Sequence, residues 1–313
     1  MADQVTARKQ RRTTSSWPPS KKSKPDTHLL TNSQVPAWYS QPLIRTGYRP
    51  VTNSWAACLR TLVDAGLHNE TVNIYSHLIP AAICAVLLLV GGGGLVQLLP
   101  PSSTPADRLV LAAYLCTSLL CFTASAAYHT FMCHSERGAA LWVRVDYAAI
   151  LLQILGSVAS GLYFSFYCEP ALQRLYWSMI SFLVLVAGAV VVSPRLQHRK
   201  WRAARTWTFI ATGMSAFAPI VHGATIFPYR QLDRQTGLSY YYVEGLLVLL
   251  GAWHFGSRFP ECWKPGRFDI FGASHQIFHV LVAASAAVHL CGLLSALRWN
   301  HENARCSLLE LGS

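Results

Sequence analysis

Long apolar stretches alternate with short polar joints along most of the chain. Seven of these stretches come close to the roughly 20 apolar residues that span about 30 Å of hydrocarbon. They fall near Ile74–Leu99, Leu109–Phe131, Leu141–Tyr163, Tyr176–Val192, Trp207–Phe227, Tyr240–Phe259 and His275–Leu297. A lipid-exposed backbone must satisfy its own hydrogen bonds, so each stretch reads as a helix. The pattern predicts an all-α polytopic membrane protein, a seven-transmembrane helix bundle without a second domain. Upstream the pattern changes. Residues 1–37 carry Arg8, Lys9, Arg11, Arg12, Lys21, Lys22 and Lys24 among Ser, Thr and Pro, and read as a disordered basic tail. Residues 38–73 hold aromatics and a short amphipathic helix, capped by Asn53 or Ser54 and ended near Gly66. Trp55, Leu59, Leu62 and Val63 share one face of it, as in a helix lying in the membrane interface. The membrane domain then takes 74–299, and a short polar tail takes 300–313.

Composition narrows the class. Hydrophobic residues make up 52% and charged residues 13% of the 313, against about 25% charged in a typical soluble domain. The 26 Lys and Arg exceed the 14 Asp and Glu, but the excess gathers in the first sixty residues and one later loop. Such juxtamembrane clusters fit anionic lipid on the cytoplasmic side rather than a nucleic-acid groove, so no nucleic-acid partner is expected. The nine cysteines show no paired spacing, which predicts mostly free, packed thiols. The first forty residues have no apolar core, so no cleavable signal peptide is expected.

Loop charge sets the orientation. Arg195, Arg199, Lys200, Arg202 and Arg205 lie between the fourth and fifth spans, and Arg258, Lys264 and Arg267 between the sixth and seventh. The loops after the first and third spans offer only Arg108 and Arg174. The N-terminus is therefore expected in the cytoplasm and the C-terminus outside, in the plasma membrane or endoplasmic reticulum.

With that orientation, ionisable residues from four spans fall at one depth. His275 and His279 are four residues apart at the head of the seventh span, so their rings share a helical face. Ser125 and His129 end the second span on the same side. Asp146 and Tyr147 open the third, and Glu70, Asn73 and His77 lead into the first. Ionisable groups inside a membrane are costly and mark functional sites. Three imidazoles suit Zn2+, with His129, His275 and His279 as ligands and one tetrahedral position left open, the pattern of a catalytic centre. Asp146 is the expected general base, Ser125 a partner for water or a substrate carbonyl, and Glu70, Asn73, His77 and Tyr147 a supporting network. Elsewhere, Pro219, His222 and Glu244 read as a kink with structural hydrogen bonds. Spacing gives His254 and His289 no partner, and Gly91 to Gly94 lack the residues of a phosphate loop.

Three signatures together, Glu70-x-x-Asn73-x-x-x-His77, Ser125-x-x-x-His129 followed by Asp146, and His275-x-x-x-His279, resemble the progestin and adipoQ receptor family, also called haemolysin III-related proteins. The resemblance covers about residues 40–297. Phe268-Asp269-Ile270 and Ser274-His275-Gln276-Ile277-Phe278-His279-Val280 look most like the adiponectin receptors and their fungal counterparts. It implies zinc on His129, His275 and His279 with Asp146 near the water, a link to lipid or sterol metabolism and metal homeostasis, and distant similarity to alkaline ceramidases. Two functions are therefore expected to compete. One is a zinc hydrolase of a lipid amide or ester, with ceramide first and a fatty acid or sterol as further membrane-lipid ligands. The other is a receptor for an extracellular ligand in which zinc is purely structural. Zinc transport is disfavoured because there is one buried site and no second carboxylate ladder along a pore.

Overall fold

The computed structural model describes residues 29–303 and Cys306, apart from residues 65, 90–94 and 197. Most of the basic tail and the run Gly91 to Gly94 lie outside the described residues. The helices are α1 (Trp55–Asp64), α2 (Thr71–Leu89), α3 (Leu95–Leu98), α4 (Pro105–Phe131), α5 (Glu136–Ser165), α6 (Pro170–Val192), α7 (Arg202–Met214), α8 (Phe217–Ile226), α9 (Tyr229–Thr236), α10 (Leu238–Ser257) and α11 (Ser274–Glu302). The described residues form no strand, only an isolated bridge between Leu30 and Tyr48.

Among the described residues six helical stretches are long and apolar enough to cross a membrane: Thr71–Leu89, Pro105–Phe131, Glu136–Ser165, Pro170–Val192, Arg202–Ile226 and Ser274–Glu302. The fifth is α7 followed by α8, with a turn at Ser215 and Ala216. The remaining expected span is α10, whose 20 residues suffice in length but include Tyr240, Tyr241, Tyr242, Glu244 and His254. These polar groups lower its apolar character, and two of them turn out to have interior partners.

Capping explains where the helices start and stop. Thr104 accepts from the Asp107 backbone N–H while the Asp107 carboxylate reaches back to the Thr104 N–H, so α4 opens on a closed capping box followed by Pro105. Ser135 caps α5, and Ser54 accepts from the Ala57 N–H at the start of α1. The α11 N-terminus receives the Glu261 carboxylate, which accepts from the Ser274 N–H and hydroxyl, where the helix dipole favours negative charge.

The long helix α11 is the hub, packing against α2, α4, α5, α9 and α10. Around it α2, α4, α5 and α6 follow one another by contact, and α7 leans on α6 and α5. Gly156 lets α4 and α5 approach closely, since a Cβ there would lie 2.0 Å from Thr117 Oγ1. By contrast α10 packs on α11 and α9 and has no comparable interface with α7 or α8. Their main bridge is at one end, where Arg202 donates to the Phe255 carbonyl at 2.6 Å and its guanidinium lies 4.2 Å from the Phe255 ring. The central core gathers Leu111, Tyr114, Leu115, Phe122, Phe164, Leu293 and Leu297. Phe182, Leu185, Val221 and Leu246 are exposed, as lipid-facing side chains should be.

Residues 29–50, part of which sequence reasoning gave to the tail, fold under the bundle. Tyr39, Ile44 and Tyr48 are buried there, and Asp269 accepts from the Arg45 and Thr46 N–H groups and the Thr46 hydroxyl, tying this segment to the loop before α11. Trp55, Leu59 and Val63 of α1 are exposed, the outward apolar face expected of an interfacial helix. Cys168 and Cys306 form a disulfide while seven cysteines are free, so most are free as expected, but only Cys58, Cys84, Cys121 and Cys133 are also buried. The disulfide's sequence separation of 138 residues left no local spacing to read.

Candidate metal centre

Near the end where α4 stops and α11 starts, three imidazoles converge. The ligand atoms of His129, His275 and His279 all lie within 4.8 Å of one another, and the Nε2 atoms of His129 and His275 are 3.3 Å apart. A tetrahedral zinc with bonds of about 2.0 Å holds its nitrogens about 3.3 Å apart. The opposite ring nitrogens explain why the Nε2 atoms point inward. His129 Nδ1 lies 2.7 Å from Glu70 Oε2, and His279 Nδ1 lies 3.1 Å from the Asn73 carbonyl. Each Nδ1–H therefore donates outward and leaves the Nε2 lone pair to a metal, the usual carboxylate or carbonyl support of a ligating histidine. His275 Nδ1 is buried without a partner, so its ring is oriented by packing against Phe255 and Phe278. The donor set fits a metal ion: three imidazole nitrogens converge in a largely buried site, with no cationic side chain among them.

Glu70 is fully buried at 0% exposure. Burial alone would push its carboxyl up, but contacts with His129, Asn73 and Arg49 outweigh that and hold it down at about 2. It is thus an ionised acceptor. Asn73 Nδ2 donates to it at 2.7 Å, and Gln41 Nε2 donates to its other oxygen. Arg49, also fully buried, donates to the His129 carbonyl at 2.5 Å and the Thr130 carbonyl at 3.1 Å, closing the C-terminal turn that carries His129.

The expected residues sort themselves by position. His129, His275 and His279 come together as candidate ligands, with Glu70 and Asn73 behind two of them. His77 stacks on His279 with ring centroids 3.9 Å apart, and its Nε2–H faces the His279 carbonyl at 3.3 Å, so it fixes the ring rather than joining the triad. Asp146 and Ser125 are buried neighbours, and Asp146 lies within electrostatic reach of His129. Tyr147 departs from expectation. Its ring meets Phe209 at 5.8 Å and the Arg205 guanidinium at 5.5 Å, so it faces α7 and not the histidines. One residue along a helix turns the side chain by about 100°, which matching depth alone did not take into account. Sequence reasoning missed Arg49 and Gln41, whose roles depend on contacts across the fold. His254 is held by the Phe259 carbonyl at 2.9 Å and His222 by the Tyr176 hydroxyl at 2.8 Å, both structural.

A helical membrane bundle with a buried three-histidine group able to hold a metal ion defines the class. Residues 65–290 match the Haemolysin-III related family model, and the chain belongs to that family. It is 33% identical over 262 residues to the ADIPOR-like receptor IZH1 of Eremothecium gossypii, covering 83% of this chain and 82% of that one. It is 32% identical over 274 residues to the ADIPOR-like receptor IZH2 of Saccharomyces cerevisiae, covering 87% and 85%. Against the adiponectin receptor protein of Drosophila melanogaster it is 31% identical over 275 residues, covering 88% of this chain and 61% of the relative. The protein is thus an adiponectin receptor-like, multi-pass membrane protein with a histidine group able to hold a metal ion.

Proposed function

We propose that the protein binds zinc through His129, His275 and His279 and hydrolyses a membrane lipid amide, ceramide being the first choice, within a receptor-type bundle. The observation that carries this reading is the division of labour in the rings: Nδ1 of His129 and of His279 is engaged outward, and the Nε2 atoms face one point beside Asp146 and Ser125. Zinc, if held by these three histidines, would supply Lewis acidity. Asp146 takes the proton of the attacking water and returns it to the amine nitrogen as the C–N bond breaks, and the Ser125 hydroxyl donates to the oxyanion that develops on the lipid carbonyl. The sparse packing between α10 and α7–α8 supports entry of a lipid sideways from the bilayer.

The orientation that fits is N-terminus in the cytoplasm and C-terminus outside. Loop charge favours it, and so does the disulfide between Cys168 and Cys306 at the opposite end from the histidines, since disulfides persist in oxidising compartments. The metal then lies near the cytoplasmic face of the plasma membrane or endoplasmic reticulum.

The test is fatty-acid release from ceramide, phytoceramide and simple lipid esters by purified, zinc-loaded protein in nanodiscs. Asp146→Asn is expected to keep its zinc and lose turnover by about 10²- to 10⁴-fold, the range of a general base. Equal rates for the parent and Asp146→Asn on every lipid would favour the second reading, a receptor whose zinc is purely structural. That reading has its own support in the way the triad joins the end of α4 to the start of α11.

A further inference from the structure

The interfacial helix α1 meets the bundle through a pair of sulfurs. Cys58 is the one fully buried residue of α1, and its Sγ lies 3.5 Å from Sγ of Cys133, two residues past the end of α4 and four past His129. Both thiols are at 0% exposure, in a cluster with Tyr39, Ile44, Tyr48 and Met132.

The backbone holds the sulfurs face to face. The Thr52 N–H donates to the Cys133 carbonyl at 3.0 Å and the Asn53 N–H to the His134 carbonyl at 2.9 Å, so the lead into α1 runs beside the turn after α4. Thr52 Oγ1 lies 3.1 Å from Cys58 Sγ, and Cys133 Sγ is 3.6 Å from the Thr130 carbonyl. Arg49 joins the same two elements, donating to Thr61 Oγ1 of α1 at 2.9 Å as well as to the His129 and Thr130 carbonyls.

Three features suit this pair to oxidation. The first is distance, since reacting atoms in a near-attack arrangement stand about 3–3.5 Å apart. The second is asymmetry. The hydrogen bond from Cys133, helped by Thr52 and by the Arg49 charge, outweighs burial and holds the Cys58 thiol below its usual range, while Cys133, the donor in that bond, is pushed up. The third is access. The outer face of α1 is exposed at Trp55, Leu59 and Val63, and a helix of 10 residues with one fully buried side chain opens more readily than the spans beside it.

We propose that Cys58 and Cys133 are a redox pair that a hydroperoxide converts to a disulfide, clamping α1 to the turn that follows His129. The Cys58 sulfur attacks one peroxide oxygen, the O–O bond breaks, and the Cys58 proton ends on the leaving oxygen as water or an alcohol. The Cys133 sulfur then attacks the Cys58 sulfenic acid: the S–S bond forms, the S–O bond breaks, and hydroxide leaves as water with the Cys133 proton. The two thiols are oxidised by the electron pair that the peroxide gains. In the orientation proposed above this end faces the cytoplasm, where disulfides are transient, so a small thiol returns the pair to its open form by exchange. The histidine group need hold no metal for this chemistry.

The experiment treats the full chain in nanodiscs with hydrogen peroxide, unfolds it in N-ethylmaleimide and maps the digest by mass spectrometry. A peptide joining Cys58 to Cys133 is expected, absent before peroxide and lost again after dithiothreitol, with the exposed Cys262 reporting the dose. Hydrogen exchange at the α1 amides should slow in the oxidised parent and stay unchanged by peroxide in Cys133→Ser. In that variant Cys58 should retain a sulfenic acid that dimedone traps. The crosslink itself is read on the parent chain, so the test stands if the variant folds poorly. His275→Ala should give the same crosslink whatever its zinc content, which keeps failure of the zinc reading distinguishable. Full alkylation of both Cys58 and Cys133 at a dose that oxidises Cys262 would overturn the pair. A crosslink that left α1 exchange at the reduced level would overturn the clamp.

Discussion

At one end of the bundle Glu70 holds Nδ1 of His129 at 2.7 Å, and at the other Asp107 holds Nε2 of His301 at 2.9 Å. Both carboxylates are fully buried. Around Asp107, however, every group turns inward on the carboxylate: Tyr163 and Tyr167 donate hydroxyls at 2.9 and 3.1 Å, and Thr104 donates its N–H at 2.7 Å and its hydroxyl at 2.8 Å. Nothing is left pointing at a common vacant point. Around Glu70 the carboxylate binds the far side of an imidazole and leaves the near nitrogen to meet two others. The density of polar groups is similar at the two ends. The difference is where the unused lone pairs converge, and that convergence separates a metal centre from a structural clasp.

The strongest way to break the comparison is to remove ligands at one end and a clasp residue at the other. His275→Ala combined with His279→Ala is expected to drop zinc from about one ion per chain to background by elemental analysis, and to lower Tm because the folded state loses its ligand. His301→Ala should leave zinc content at the parent value. Retention of zinc by the double variant would end the assignment of the triad.

Next in size is Asp107→Ala, which strips the partner from His301, two tyrosines and the α4 capping box at once. Removing one member of a buried pair typically costs about 3–5 kcal/mol, and denaturant unfolding should show a loss of that order. Zinc per folded chain should stay unchanged. If zinc fell in proportion to stability, the two ends would be one cooperative unit and the contrast between them would disappear.

The sequence made one end far more legible than the other. His275 and His279 announce themselves by i, i+4 spacing on a span, and Ser125 and His129 by the same spacing, so local periodicity was enough once loop charge had set the depth. Asp107 and His301 are 194 residues apart, and Glu244 and His289 are 45 apart on different helices. No spacing rule links such pairs, because helix-to-helix neighbours depend on packing around α11. The spans were read from their apolar length, and the break between α7 and α8 at Ser215 and Ala216 lies one turn before Pro219, whose ring cannot donate to the Ser215 carbonyl, so the expected kink divides the fifth span there; α10 was placed despite its tyrosines. Tyr147 shows the reverse limit: depth was right, and the direction around the helix was not.

A finer cut keeps the ligands and weakens only their support. Glu70→Gln preserves an acceptor for the His129 Nδ1–H but removes its charge, so the imidazole becomes a poorer ligand. Loss of such outer partners typically costs about 10- to 100-fold in metal affinity. Competition with a zinc chelator of known strength should show a shift in that range, with zinc content still stoichiometric when the metal is in excess. An affinity equal to the parent's would mean that the carboxylate holds the ring in place without tuning it.

The smallest expected effect is at Tyr147, and its smallness is what makes it useful. Asp146 and Tyr147 are adjacent on α5, but the Asp146 carboxylate neighbours Ser125 and His129 while the Tyr147 ring lies against Phe209 and Arg205 of α7. Tyr147→Phe keeps the ring and its packing and removes one hydroxyl near Arg205, whose guanidinium retains the carbonyls of Leu196 and His198. A single hydrogen bond of this kind contributes about 1 kcal/mol or less, so stability should fall by no more than that, with zinc content and lipid turnover at parent levels. Asp146→Asn, one residue away, should leave zinc equally full and turnover nearly absent. Were both variants to lose turnover alike, α5 would have to present both side chains to the metal, or α7 would have to be part of the reacting site. Either result would move the boundary of the centre from α4 and α11 outward to the α5–α7 contact.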